Sequence, residues 1–340
     1  MPAGSVGGAD VMICSSLNLV FFTSASSRRR TLAQTGRVSG EHVKGRRDQN
    51  AFLRKRSRMK TPILPQQDQA FLELYFVRRP TPMGIFFEPF SADLCCLCGA
   101  LSPQSGEHKI KAAALRRIFG SDSMVIGTLE SEKPLRLAQG PKSREFHFSA
   151  PLCGRCNNAT TQPADKAFDR FSEAVARALA AGDDPASVFD LKRYAVGSLE
   201  YLNVFRYFAK LLSCHLAESG GPRSLQVTQF AIGQNDDNKV RLHIDPDPTY
   251  SDFAGEFGVH QYAAHGGLVV TTNPATGLIN SFRTSLTLGP VRYLFWVEFG
   301  ATVALALRLF HKPFSDKCVA AYCAALQDPM NAHLRRKPGI

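Results

Sequence analysis

The spacing of apolar side chains changes character twice along the second half of the chain. Ala164, Phe168, Phe171, Val175 and Leu179 recur at intervals of four, three, four and four. That stripe predicts an amphipathic helix over 163–181, ended by Gly182-Asp183-Asp184-Pro185. A second helical region is predicted over 188–219, closing at Gly220-Gly221-Pro222. The period then falls to two. Strands are predicted at 227–230 and 240–244 around the turn-rich 233–238, then at 258–263, 267–272, 281–288 and 291–299. A last helix is expected over 314–326. Upstream, 111–119 has helical composition, with Leu115, Ile118 and Phe119 on one face. The stretch 120–143 reads as loop because of Gly120, Gly127, Pro134, Gly140 and Pro141. Residues 70–90 are apolar and aromatic but broken by Pro80, Pro82 and Gly84, which predicts one short element and an extended strand. Residues 23–60, rich in Ser, Arg, Lys, Gly and Gln, are expected to be disordered.

Helices and antiparallel strands in separate runs make this an α+β chain. The expected division is a basic tail over 1–60, a cysteine-bearing module with its trailing helix over 61–182, and a third part over 183–340. That last part combines a helical linker, an antiparallel β domain and a C-terminal helix. The tail reads either as a leader or as a start assigned too early, with Met59 as the alternative. Val11 to Phe22 is mildly apolar, but its positive charges, Arg28-Arg29-Arg30, follow it, the reverse of a secretory signal.

Composition sharpens this picture in three ways. With 340 residues and 44% hydrophobic content, the chain can bury a sizeable core. The net charge of +12 suggests nucleic acid until its distribution is read: residues 1–58 hold 11 Lys/Arg and 3 Asp/Glu, so +8 of it lies in the tail. Nine cysteines, four of them in two C-x-x-C pairs, suit zinc in a reducing, cytoplasmic setting better than a disulfide framework. No membrane span is expected. The most apolar run, 293–310, is interrupted by Glu298 and Arg308 and reads as a buried strand leading into another element.

The candidate chemistry is concentrated in about 65 residues. Cys95, Cys98, Cys153 and Cys156 have the spacing of two knuckles, and four thiolates make a closed tetrahedral zinc site. Two unrelated thiol pairs are the alternative. Cys96 is a spare thiol, and Gly99 suits the tight turn after Cys98. Between the pairs stands Glu107-His108, and the second pair runs into Asn157. A carboxylate and an amide oxygen suit Mg²⁺ or Mn²⁺, and a histidine on the other side of the strand suits a base that activates water.

The segments Ser105-Gly106-Glu107-His108-Lys109-Ile110 and Leu152-Cys153-Gly154-Arg155-Cys156-Asn157-Asn158, behind the first C-x-x-C, resemble the HNH, or ββα-metal, endonuclease family with a zinc-stapled core. The resemblance covers residues 95 to about 170. It implies a zinc-stapled ββα-metal module followed by helices and a mainly antiparallel β domain. It further implies Glu107 and Asn157 as ligands of a catalytic divalent metal, His108 as general base, structural Zn²⁺, and DNA as substrate. The chain departs from the family in two places. The segment from His108 to Cys153 is long, and Phe146-His147-Phe148-Ser149 stands where many members carry a middle asparagine. His147 either takes over that orienting role or is a solvent-facing strand residue. A catalytically degenerate zinc module that binds nucleic acid or protein is the competing expectation.

Other candidates have plainer readings. Lys109, Lys111, Arg116 and Arg117 suit phosphate contacts or a solvated helix face equally. Asp165 and Asp169 read as exposed carboxylates near a helix start. Asp245-Pro246-Asp247-Pro248 reads as a turn, and His260 with His265 lacks further zinc ligands. Phe205, Tyr207 and Phe208 read as core. No phosphate loop, nucleophile elbow or Rossmann fingerprint is present.

Overall fold

The computed structural model describes residues 12–14, 20–24, 86–101, 104–120, 124–128, 136–138, 140–257, 260–273 and 276–327. The chain divides into two units, Ser26–Met83 and the remainder, and all described residues lie in the remainder. The tail expected over 23–60 therefore falls, past Ser24, outside the described residues, as does the apolar run from 70 to 85.

In chain order the strands are β1 (Met12–Cys14), β2 (Val20–Ser24), β3 (Phe87–Glu88), β4 (Gln104–Ser105), β5 (Met124–Thr128), β6 (Arg136–Ala138), β7 (Leu152–Cys153), β8 (Arg223–Ser224), β9 (Val240–Pro246), β10 (Ala263–His265), β11 (Val269–Thr272), β12 (Ile279–Leu288) and β13 (Val291–Glu298). The α-helices are α1 (Ala112–Phe119), α2 (Gln162–Ala180), α3 (Leu199–Glu218), α4 (Leu225–Ala231), α5 (Pro248–Phe257), α6 (Ala301–Phe310) and α7 (Lys312–Gln327).

The main sheet is antiparallel in the order β1-β11-β12-β13-β9. Strand β12 is long enough to pair with β11 through its first half and with β10 through Leu286–Leu288. The expected alternation is clearest in β13. Val291, Tyr293, Phe295 and Val297 are buried, while the residues between them stay partly exposed. Helices α2 and α3 cover that face. Phe168 stacks on Tyr207 at 3.9 Å between ring centroids and meets Tyr293 edge-on at 5.6 Å; Phe208 lies 4.8 Å from Phe295. The core thus continues across 182/183, from the helix after the second cysteine pair into the β sheet.

Several elements differ from their sequence expectation. Residues 227–230 lie in helix α4, where Val227, Phe230 and Ala231 face inward. Four residues are too few to distinguish a period of two from 3.6. The segment 120–143 contains strands β5 and β6, paired with each other and, through β5, with β2. The helical region 188–219 is broken. Two 3₁₀ turns, Pro185–Asp190 and Lys192–Tyr194, precede α3, which begins where Ser198 Oγ accepts the Tyr201 amide. Asp247 likewise caps α5, its Oδ1 accepting from the Thr249 amide, so a helix stands before the strand expected at 258–263, which begins at Ala263. The C-terminal helix is preceded by a second one, α6.

Candidate metal centre and active site

The two knuckles are drawn together by local backbone geometry. After Cys95 the chain turns through Gly99, whose φ of 72° favours glycine, and the Gly99 amide donates to the Cys95 carbonyl at 2.8 Å. The second knuckle leaves β7, with the Cys153 amide on Cys95 Sγ and the Cys156 amide on Cys153 Sγ, each at 3.4 Å. The four sulfurs of Cys95, Cys98, Cys153 and Cys156 lie within 4.8 Å of one another, and Cys98 Sγ to Cys153 Sγ is 3.8 Å. A tetrahedron with zinc–sulfur bonds of about 2.3 Å has edges of about 3.8 Å. The group can therefore hold a metal ion such as zinc. The hydrogen bond from Cys156 draws the Cys95 thiol down, and the same contact, with burial, pushes Cys156 up. Four thiolates this close need a cation to ionise together. Cys96 faces elsewhere, in hydrogen-bond contact with the buried Cys214 of α3.

Between the knuckles, β4 and the residues after it run antiparallel to 146–153. Gln104 pairs with Cys153 and Ser105 with Leu152. Past a bulge, the Phe148 amide donates to the Glu107 carbonyl at 2.8 Å and the Lys109 amide to the Phe146 carbonyl at 2.6 Å. Beyond the second strand, one turn of π-helix (Cys156–Thr160) leads into α2. Alternation along the first strand turns Glu107 inward and His108 to the opposite side.

Glu107 is 6% exposed, and Lys210 of α3 is fully buried beneath it. The Lys210 ammonium lies 3.0 Å from Glu107 Oε1 and 2.6 Å from Asp165 Oδ1. Burial pulls the lysine pKa down, but the two carboxylates outweigh it and hold the ammonium charged. Burial pushes Glu107 up, opposed by Lys210. Lys111 extends the network, donating to the Asp165 carbonyl and to Asp169 Oδ2. Asp165 and Asp169, which read as ordinary exposed carboxylates, are structural partners of lysines.

His108 bridges to His147, with ring centroids 3.9 Å apart. The Nε2 atoms of both rings are buried without a hydrogen-bond partner. Burial, followed by the neighbouring His147, Lys210, Arg116 and Lys142, draws the His108 pKa down to about 4. Its imidazole is thus neutral at neutral pH. Arg116 and Lys142 are themselves exposed. His147 is half-buried, and its ring lies over Gly106, where a Cβ would meet His147 Nδ1 at 2.5 Å.

Asn157 is tied back to the first strand. Its Nδ2 donates to Ser105 Oγ at 2.9 Å and to the Gly106 carbonyl at 3.0 Å. These bonds orient Asn157 beside the residue that precedes Glu107. Among the described residues, Asn157 Oδ1 and Glu107 Oε2 have no hydrogen-bond partner.

No sequence motif marks Lys210. The only signal was a lone lysine within the apolar run Tyr207-Phe208-Ala209-Lys210-Leu211-Leu212 of a helix. Comparisons with family models, with curated proteins and with solved structures return no match to this chain.

Proposed function

We propose that this protein is a metal-dependent endonuclease that hydrolyses DNA phosphodiester bonds, with His108 as general base. The observation that carries the reading is an arrangement: His108 and Glu107 stand on a strand between the two knuckles, and Asn157, just after the second, is hydrogen-bonded to Ser105 and Gly106 of that strand. His108 Nε2 has no hydrogen-bond partner, and two exposed cations, Arg116 and Lys142, act on the ring. A neutral ring can take a proton from water, and cations around it favour an approaching phosphate. The order of two paired strands and a helix around the cysteine group is consistent with the HNH resemblance. Asn157 Oδ1 and Glu107 Oε2 are the oxygens available to a divalent ion, which characteristically keeps several waters and binds through one or two protein oxygens. When bound, such an ion would supply charge stabilisation at the scissile phosphate. His147 packs the base in place, and Asn157 holds the first strand to the start of α2.

The Glu107–Lys210 ion pair favours a second reading. A carboxylate already neutralised by a buried ammonium is a weaker cation ligand, as suits a zinc-stapled module that binds nucleic acid or protein without cleaving it.

Plasmid cleavage by the purified protein decides between them. The assay compares Mg²⁺, Mn²⁺ and EDTA, beside a His108→Ala variant with unchanged zinc content and fold. Divalent-dependent nicking that disappears in the variant supports the hydrolytic reading. Retarded mobility of DNA without any cleavage supports the binding module.

A further inference from the structure

A second polar space lies apart from the candidate centre: a cavity of about 390 Å³ lined by Lys109, His215, Glu218, His265, Phe314 and Lys317, among others. Its volume falls within the usual range for small-molecule sites. Lys109 reaches it from the strand that carries His108, but alternation turns the two side chains to opposite faces.

The hydrogen bonds around the Gly266 carbonyl determine what the two histidines present. Thr284 Oγ1 donates its one proton to that carbonyl at 3.1 Å. With that proton on the nearer acceptor, the 3.3 Å contact between Thr284 Oγ1 and His215 Nε2 is made with the imidazole as donor. His265 Nδ1, 3.1 Å from the Gly266 carbonyl, must donate as well. Both rings are buried, and burial disfavours their protonated forms. Each neutral ring then keeps one lone pair, on His215 Nδ1 and His265 Nε2. Neither atom has a hydrogen-bond partner among the described residues, and the ring centroids are 6.1 Å apart. Both rings line the cavity, so each offers its contents one hydrogen-bond acceptor.

The other polar groups are of the opposite kind. Lys109 meets Glu218 Oε2 at 3.0 Å, and Lys317 donates to the Ser219 carbonyl at 2.9 Å. Each ammonium has three N–H donors, so both have donors to spare. Glu218 is already engaged, its other oxygen accepting from the Ser149 amide and hydroxyl. Two ammonium groups against one committed carboxylate disfavour a cation.

We propose that this cavity binds a small hydroxyl-bearing organic anion, its acid group on Lys109 and Lys317 and its hydroxyl protons on His215 Nδ1 and His265 Nε2. The apolar part of the wall, with Phe314 and Leu268, covers the carbon skeleton.

Calorimetric titration of the zinc-loaded full chain, without divalent cation or DNA, tests this with ribose 5-phosphate, gluconate and uncharged ribose. At least one of the two anions binds at about 1 mM or tighter, and ribose binds at least about tenfold more weakly. Which anion prevails distinguishes phosphate from carboxylate. His265→Phe removes one acceptor, and Ala321→Trp fills the cavity from a half-buried position on α7; each weakens the anion about tenfold or more, whereas His108→Ala leaves it unchanged. If His265→Phe does not fold, Ala321→Trp alone decides. The proposal is overturned if neither anion binds, if ribose binds equally well, if the folded cavity variants bind as the parent does, or if His108→Ala abolishes binding.

Discussion

The Lys210 ammonium lies 3.0 Å from Glu107 Oε1 and 2.6 Å from Asp165 Oδ1, with no part of the lysine side chain exposed. One cation thereby joins the strand of the candidate base, the helix after the second cysteine pair and the core helix α3. Lys210→Met leaves two carboxylates near an uncompensated apolar interior. The expected cost is about 3–5 kcal/mol, measured by urea unfolding of the zinc-loaded protein. Adding Glu107→Gln to that variant should recover part of the loss. Equal instability of the single and double variants would count against the pairing.

Zinc loading should be about one ion per chain by elemental analysis. Cys153→Ser, or chelation under mild denaturation, should remove the ion and lower the melting temperature steeply, because site formation contributes to folding itself. Cys96→Ser should keep the zinc, since its thiol lies outside the four-sulfur group. Loss of zinc in Cys96→Ser but not in Cys153→Ser would sink the ligand assignment.

The depressed pKa of His108 has a stability consequence. Its folded value of about 4 lies below the ordinary 6.5, so between those values the unfolded chain binds the proton and the native chain does not. Stability therefore rises with pH through that window and levels off above it. His265, also drawn down to about 4 by burial, adds to the same slope. The ring protons of His108 in an NMR titration should move near pH 4 rather than 6.5. His147→Ala removes a neighbour that lowers the pKa and should raise it. A titration of His108 at or above its ordinary value would refute the depression by burial and by His147.

Asn157→Ala deletes two hydrogen bonds to the first strand, at a cost of about 1 kcal/mol because water reaches the partly exposed groups left behind. Asn157→Asp should cost at least as much, because a carboxylate would face the Gly106 carbonyl. Thermal unfolding compares the two, and cleavage assays on whichever folds should show lost activity. Full activity in a folded Asn157→Ala protein would remove this residue from the proposed site.

A good part of the architecture was legible along the chain. The apolar stripe 163–181 corresponds to α2, and the period-two runs 281–288 and 291–299 to β12 and β13, because each spans enough residues to separate the two periods. Short segments misled: 227–230 is helix, and the glycines and prolines of 120–143 obscured β5 and β6. No helix among the described residues is long and apolar enough to cross a membrane.

Which residues carry the candidate chemistry is legible along the chain. Cysteine spacing within each knuckle identified the four sulfurs, because a two-residue gap is a local turn that needs no distant partner. Glu107, His108 and Asn157 stand out by their position relative to the knuckles and by the HNH resemblance. What those residues face depends on chain segments far away in sequence. Only the tertiary structure set Lys210 beneath Glu107, laid His147 against His108, turned Asp165 into an ion-pair partner, and brought His215 and His265 to one cavity wall. Each of those contacts joins residues far apart along the chain. They arise when buried charges and polar atoms find partners as the helices close over the sheet, and no local pattern encodes that choice.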